Sequence, residues 1–406
     1  MKKILHNFSY VFLANIANAF SKFVYLIIIT KFLTTKDLGA YTLAIAVTAP
    51  ITLLFNMKMR SYIVSSDYVD FNKYKRFRDF TNIATVILTV IVSFAFYSHI
   101  VTIMILVALS KLLEINSEFY QAWPNKIKNF QTSAKLIIIR VILMMISFII
   151  VALSTHSLVI TLTSNLVIQF LVLLVEKKIN LGLVNLKDYT NKNISYKFLL
   201  LTLLPLGIVQ ALMSFSTSIP KFLLDYFSNL EVVGIYSAIA YLMTIISLFM
   251  NSINQTLLPY LKKVYKQNTD LFIRFVNVYC NLIFLTFGAI FLVFSLLWGD
   301  NILTLLYTKE FAKYDFILSV CAISVFLNMA SWTYDSGLLL ANAIRWQPVF
   351  LGVSMLITLG SGIILVSKYD IVGANITLVL FQFLNTFSKA LYFNVIINRN
   401  KKNREV

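Results

Sequence analysis

The chain has 406 residues, of which 59% are hydrophobic and 13% are charged, and its mean hydropathy is +0.80. A soluble domain carries about 25% charged residues, so this composition excludes a soluble enzyme, a disordered tail and a disulfide-stapled secreted module. The formal net charge of +18 does not indicate nucleic-acid binding. The lysines and arginines lie in short segments between apolar runs, as they do in membrane proteins.

Apolar segments follow one another along the whole chain, each close to the length of about 20 residues that a helix needs to cross a bilayer. The sequence therefore predicts an all-α integral membrane protein with about twelve transmembrane helices. The expected segments are 8–32, 38–64, 80–97, 100–122, 135–154, 158–176, 198–220, 232–258, 272–298, 315–341, 347–367 and 371–395.

The basic residues of the connecting segments predict the orientation in the membrane. If the N-terminus is cytoplasmic, most loop lysines and arginines fall on the cytoplasmic side, including those of 73–78, 177–197 and 399–404. The opposite side carries few, such as Lys309 and Lys313. The positive-inside rule therefore predicts a multi-pass protein with both termini in the cytoplasm.

A short sequence motif occurs twice. Residues 31–46 read KFLTTKDLGAYTLAIA and residues 221–240 read KFLLDYFSNLEVVGIYSAIA, each at the exit of one segment and the entry of the next. The repeat predicts two six-helix halves, residues 1–185 and 186–406, and chance similarity in a biased composition is the alternative. Parallel repeats are typical of secondary transporters.

Polar residues recur at helical spacing inside several segments, and matching segments of the two halves both carry them. Charges within hydrocarbon are costly, so they tend to face the interior of a bundle or a wet cavity. The stripes are Asn15, Asn18, Lys22 and Tyr25; Lys111, Glu114, Glu118 and Gln121; Gln210, Ser214, Thr217 and Lys221; Asn328, Ser331, Asp335 and Asn342; and Asn375, Gln382, Asn385 and Lys389.

Each stripe also has a purely structural interpretation. Asparagine and serine hold helices together as well as line cavities, and Lys111 and Glu114 could simply neutralise each other. Lys221 could reach the interface from its span end, and Arg60 and Arg140 could contact headgroups. Lys22, near the middle of its segment, is hardest to explain by structure alone.

The sequence carries no recognisable catalytic motif. A glycine-rich phosphate loop and a His-Glu-x-x-His motif are both absent, and His6, His99 and His156 are isolated. No connecting segment is long enough to hold an active site. We therefore expect a transporter rather than an enzyme, without a cofactor, and the coupling ion, a proton or sodium, stays open.

Two stretches carry a family resemblance. Lys31–Asp67 has a Lys-Phe-Leu end, then Asp37-Leu38-Gly39-Ala40-Tyr41, then an apolar run, and Ile219–Ala240 contains Ile219-Pro220-Lys221-Phe222 and Val233-Gly234-Ile235-Tyr236. Both resemble the Wzx-type polysaccharide flippases, which move O-antigen or capsule repeat units and belong to the MOP/MATE-like superfamily. The Lys111–Gln121 stripe is similar to a pattern of this family, whereas Lys221 stands where the family usually has arginine.

The resemblance implies a fold of two six-helix bundles around a central cavity. It also implies that the protein moves an undecaprenyl-pyrophosphate-linked oligosaccharide from the cytoplasmic to the periplasmic leaflet of a bacterial inner membrane. Membrane lipids, a polysaccharide polymerase and a chain-length regulator are the partners it suggests. The implied substrate or cavity residues are Asn15, Asn18, Lys22, Arg60, Lys111, Glu114, Glu118, Arg140, Lys221, Asp335 and Lys389.

Two other functions remain open at this point. A MATE-class drug or cation antiporter would use Glu114, Glu118 and Asp335 as proton or sodium sites. An O-antigen polymerase would need a large periplasmic loop with arginines or histidines, and the longest expected outside loop, 299–314, has neither.

Overall fold

The computed structural model describes residues 2–66, 69–189, 194–341, 343 and 346–405; side chains at 2–9, 11, 187, 243–260, 266 and 398–405 are not described. Within these ranges the regular structure is entirely helical. The α-helices are α1 Lys2–Phe32, α2 Thr35–Asn56, α3 Met59–Ser65, α4 Phe71–Phe96, α5 Val101–Lys126, α6 Phe130–Thr155, α7 Leu158–Gly182, α8 Tyr196–Phe227, α9 Leu230–Gln267, α10 Thr269–Arg274, α11 Cys280–Leu306, α12 Lys309–Ala312, α13 Asp315–Leu340 and α14 Gln347–Glu405. A π-helical segment, Phe275–Tyr279, joins α10 to α11.

Ten helical stretches among the described residues are long and apolar enough to cross a membrane. The long α14 counts once, although its backbone breaks at Asp370, where φ is 49°. In α9 the described apolar stretch, Leu230–Leu242, is shorter than a membrane span, and the side chains at 243–260 lie outside the described residues. The prediction of an all-α membrane protein is confirmed, whereas the number twelve stays a prediction.

The two faces of α4 show how these helices suit a membrane. Large apolar side chains point outward, and Phe80, Ile83 and Phe94 are each at least 60% exposed. The opposite face buries the hydroxyl groups of Thr81, Thr85, Thr89 and Ser93. This arrangement is the reverse of a soluble helix and leaves an apolar surface that lipid can solvate.

The backbone breaks within the second predicted segment, 38–64. Met57 and Lys58 both adopt the left-handed conformation, with φ of 54° and 48°, and they separate α2 from α3. Side chains other than glycine rarely adopt this conformation because Cβ approaches the backbone. The buried Arg78 of α4 stabilises the break, since its guanidinium donates to the backbone oxygens of Phe55 and Asn56.

Side-chain caps begin the second helix of each repeated stretch. The hydroxyl of Thr34 accepts from the backbone N–H of Asp37, whose carboxylate accepts in return from Thr34, so α2 starts with a capping box. Asn229 caps α9 by accepting from the N–H of Val232 at 3.0 Å. The repeated motif therefore spans a helix–turn–helix junction in both places.

The chain forms two compact units, residues 1–218 and 219–406. In the first unit, α1 packs on α6, and α5 packs on α2 and α7. In the second unit, α13 packs on α9, α11 and α14. The division falls within α8, and the sequence-based domain boundary at residue 185 stays a prediction.

Candidate functional site: paired charges within each unit

Two lysines share one carboxylate inside the first unit. Lys22 Nζ of α1 lies 3.0 Å from Glu114 Oε1, and Lys111 Nζ of α5 lies 3.2 Å from Glu114 Oε2. Asn18 Nδ2, one turn before Lys22, donates to Glu114 Oε1 at 3.5 Å. These four residues are called the Lys22–Glu114 cluster below.

The Lys22–Glu114 cluster carries excess positive charge and is accessible. Two ammonium groups face one carboxylate, and the side chains of Lys22, Lys111 and Glu114 are 37%, 24% and 21% exposed. A purely structural pair would need only one lysine. The cluster can therefore accept an additional anionic group, which is the chemistry expected of a phosphate site.

Glu118, one turn further along α5, lies outside this cluster and contacts the break after α2. Its carboxylate accepts from Asn56 Nδ2 at 3.2 Å. Asn56 Oδ1 in turn accepts from Arg78 Nη2 at 3.0 Å. Glu118 thus takes part in a network that holds the end of α2.

Arg140 of α6 is buried and points to α7. Its Nη1 donates to the hydroxyl of Ser117 and lies 3.4 Å from Glu176 Oε2. The hydroxyl of Ser117 donates to the same carboxylate oxygen. Arg140 is only 6% exposed at its side chain, and Glu176 is fully buried. An arginine in this position reaches Glu176 instead of a headgroup.

The second unit contains an ion pair of its own. Lys389 Nζ of α14 lies 2.9 Å from the Asp335 carboxylate of α13 and donates to Ser331 Oγ at 2.9 Å. Gln347 Nε2 also donates to Asp335, at 3.0 Å. The single lysine balances the single carboxylate here, so this pair differs from the Lys22–Glu114 cluster.

Three of the predicted site residues are not brought into these groups. Asn15 is exposed, whereas Arg60 and Lys221 are half-buried. Within the described ranges, no hydrogen bond or ion pair joins any of the three to another side chain. Asn342, predicted in the stripe of Asp335, lies outside the described residues.

Sequence reasoning missed a buried polar stripe on α7. Asn165, Gln169, Glu176 and Asn180 recur at helical spacing, and each is at most 6% exposed. The predicted segment ends at residue 176, which places Glu176 at the start of a loop and Asn180 outside the span, whereas α7 continues to Gly182. Arg78 was missed for the same reason, because α4 begins at Phe71 and not near residue 80. The helical spacing of polar residues is visible in the sequence, and it could have revealed both the α7 stripe and Arg78.

The described residues contain no group of three or more histidine, cysteine, aspartate or glutamate side chains placed to hold a metal ion. Within each unit, charged side chains form ion pairs instead: Lys22 and Lys111 pair with Glu114, Arg140 pairs with Glu176, and Lys389 pairs with Asp335. The chemistry available at the Lys22–Glu114 cluster is therefore recognition of an anion by ammonium groups.

Comparison with known sequences gives a consistent result. A family model described as "Polysaccharide biosynthesis protein" matches residues 4–265. The chain is also 29% identical over 407 residues to the capsular polysaccharide biosynthesis protein CapF of Staphylococcus aureus, and this match covers 97% of the chain and 100% of CapF.

Comparison with solved structures identifies the fold. The lipid II flippase MurJ in an inward closed conformation gives a TM-score of 0.68 at 13% identity, covering 94% of this chain and 86% of MurJ. An outward-facing MATE-family multidrug resistance transporter of the MOP superfamily gives 0.63 at 12% identity, covering 98% and 96%. An inward-facing MATE-family transporter of the same superfamily gives a TM-score of 0.61 at 14% identity, covering 96% of this chain and 95% of the transporter. The fold is thus the MurJ/MATE-like transporter fold, as the resemblance implied, and these relatives are flippases and transporters rather than enzymes.

Proposed function

Because the chain belongs to the polysaccharide biosynthesis protein family, we propose that it moves a lipid-linked oligosaccharide repeat unit, of an O-antigen or capsule, across a membrane. The lipid is undecaprenyl pyrophosphate, and the movement runs from the cytoplasmic to the periplasmic leaflet of a bacterial inner membrane. Both termini are cytoplasmic in this proposal. The relatives support the class of cargo, since CapF is named for capsular polysaccharide biosynthesis and MurJ for lipid II.

One observation carries the proposal: Lys22 and Lys111 share the single carboxylate of Glu114. A pyrophosphate bears several negative charges, and it would supply the anion that the second ammonium lacks. The ammonium is a point charge that tolerates different phosphate orientations, which suits a substrate that must bind and leave. The unpaired Asn15 and the half-buried Lys221 are further candidates for contact with the saccharide or the pyrophosphate.

The antiporter alternative is less well supported. It requires carboxylates that are free to bind a proton, sodium or a cationic drug. Both carboxylate oxygens of Glu114 pair with lysines, and both oxygens of Asp335 pair with Lys389. Glu118, the third candidate, accepts from Asn56 instead. Two of the three carboxylates therefore have no free oxygen for a proton or a cation, which favours an anionic substrate over a cationic one.

Glycan analysis of a deletion strain tests the proposal. Loss of the gene should leave single lipid-linked repeat units on the cytoplasmic side and remove the surface polysaccharide, and the plasmid-borne gene should restore it. Single repeat units displayed on the cell surface would instead indicate a polymerase. A normal glycan together with drug sensitivity would indicate an antiporter.

A further inference from the structure

A strip of buried polar side chains runs between α5 and α7 in the first unit. Ser110 Oγ donates to Gln169 Oε1 at 2.7 Å, and Ser117 donates to Glu176 seven residues further along both helices. The equal advance shows that α5 and α7 run parallel, so the next turn places Gln121 level with Asn180. These six residues are called the α5–α7 strip below.

The strip contains polar atoms that the protein itself does not satisfy. Glu176 Oε1, Gln121 Oε1 and both polar atoms of the Asn180 side chain are buried and lack a hydrogen-bond partner among the described residues. Glu176, Gln121 and Asn180 are all fully buried. Unsatisfied polar groups in a membrane interior cost several kcal/mol. The strip is therefore built to receive a small polar or ionic species beside Glu176.

The charge around Glu176 favours a proton over a metal cation. Arg140 of α6 lies 3.4 Å from Glu176 Oε2, and its guanidinium would repel a second fixed cation at the same carboxylate. A proton avoids this repulsion because it removes the carboxylate charge instead of adding a separate charge beside it. The free Oε1 atom is available to form the O–H bond.

The other charged groups of α5 face elsewhere. Glu114 contacts Lys22 and Lys111, and Glu118 contacts Asn56. Lys126 donates to the backbone oxygen of Ile63. On α7 itself, Lys177 lies over the ring of Tyr120. Arg140 is thus the charged group that faces Glu176 among the described residues of the helices packed against it.

We propose that Glu176 is a proton-binding site that controls the affinity of the Lys22–Glu114 cluster for its anionic substrate. Arg140 donates to Ser117, which lies one turn after Glu114 on α5, so the Arg140–Glu176 pair is adjacent to the Lys22–Glu114 cluster. When an aqueous proton binds to the Glu176 carboxylate, the negative charge that balances Arg140 disappears. The net positive charge of this part of the unit rises by one, and an anion at the Lys22–Glu114 cluster binds more tightly.

Linkage makes the effect reciprocal, so binding of the anion promotes uptake of the proton. This inference rests on the proposed function in one respect, namely that the substrate is anionic. The proton site itself does not depend on the identity of the substrate. The two claims can therefore be tested separately.

The coupling is tested with inorganic pyrophosphate as the probe, bound to the full-length protein in lipid nanodiscs. Glu176→Gln resembles the protonated carboxyl and keeps an acceptor for Ser117 and Arg140. At neutral pH this variant should bind pyrophosphate roughly tenfold more tightly than the wild type, because removal of one nearby negative charge favours an anion. As the pH falls, the affinity of the wild type should approach that of the variant.

Glu118→Gln is the matched control, because it removes a carboxylate from α5 but leaves the α5–α7 strip unchanged. It should keep the pH response of the wild type. Parallel pH profiles for the wild type and Glu176→Gln would overturn the coupling. If neither protein binds pyrophosphate at any pH, the coupling and the proposed anionic substrate both fail.

Infrared difference spectroscopy tests the proton site without any anion. Acidification of the wild type should produce the absorption of a buried protonated carboxyl group, which should persist in Glu118→Gln and be lost in Glu176→Gln. If Glu176→Gln does not fold, Glu176→Asp should keep the absorption at a changed frequency. If the wild type lacks this absorption, Glu176 is not a proton site. The same conclusion follows if the spectrum of Glu176→Asp is identical to the wild-type spectrum, whatever the pyrophosphate measurement shows.

Discussion

At the scale of the residue, the main finding is that Glu114 serves two lysines. The sequence placed Lys111 and Glu114 on one helical face, where they could neutralise each other. It could not show that Lys22, from a helix distant in sequence, reaches the same carboxylate at 3.0 Å. The second lysine leaves the Lys22–Glu114 cluster with positive charge that mutual neutralisation does not remove.

Exchanging the charges of Lys111 and Glu114 tests whether the cluster is more than a local pair. In the double variant Lys111→Glu with Glu114→Lys, Lys22 would face another lysine at position 114, and like charges repel. We therefore expect that the exchange does not restore the surface polysaccharide lost in either single variant. Surface glycan normalised to protein level is the measurement. Full rescue by the exchange would show that the two residues only neutralise each other.

At the scale of the element, span boundaries account for what sequence reasoning missed. The apolar runs located the helices, and the gap at 368–370 matches the break at Asp370 in α14. Hydropathy ends a span at the first charges, however, so it predicts that Arg78 and Glu176 lie in loops. Both are buried because groups on another helix satisfy them: oxygens of Phe55 and Asn56 accept from Arg78, and Arg140 pairs with Glu176. Such contacts depend on tertiary packing that a single sequence does not reveal.

Arg78 should be essential for stability because it holds the end of α2. Arg78→Met would leave the backbone oxygens of Phe55 and Asn56 and the side-chain oxygen of Asn56 without their donor. We expect a loss on the order of 2 kcal/mol in the free energy of unfolding. Arg76→Met is the matched control, because Arg76 is exposed on the same helix and should change stability by less than about 0.5 kcal/mol. Thermal unfolding in detergent measures both, and equal stabilities would contradict this role of Arg78.

At the scale of the whole molecule, composition and patterning were sufficient for the fold class. An apolar composition without catalytic motifs predicted an all-α transporter, and the structure and its relatives confirm this fold. The repeat at residues 31–46 and 221–240 was visible because both copies form the same helix–turn–helix junction. From the sequence, the site could be predicted only as separate polar stripes on single helices. The contacts between stripes depend on how the helices pack.

The predicted topology can be checked by reporter fusions. Fusions after Lys197 and Lys402 should report a cytoplasmic location, and a fusion after Tyr314 should report a periplasmic one, because the loop lysines and arginines concentrate on the side of the termini. A periplasmic signal at the C-terminus would contradict an even number of spans.

The central claim, that the Lys22–Glu114 cluster binds the anionic part of a lipid-linked saccharide, is tested most directly at Lys22. Lys22→Met leaves Glu114 paired with Lys111, so the protein should reach the membrane at the normal level. It should nevertheless fail to restore surface polysaccharide in a strain that lacks the native gene. Lys22→Arg should restore part of it, because either cation can bind phosphate, and Lys22→Glu should restore none. Full restoration of surface polysaccharide by Lys22→Met, at equal protein level, would contradict the account.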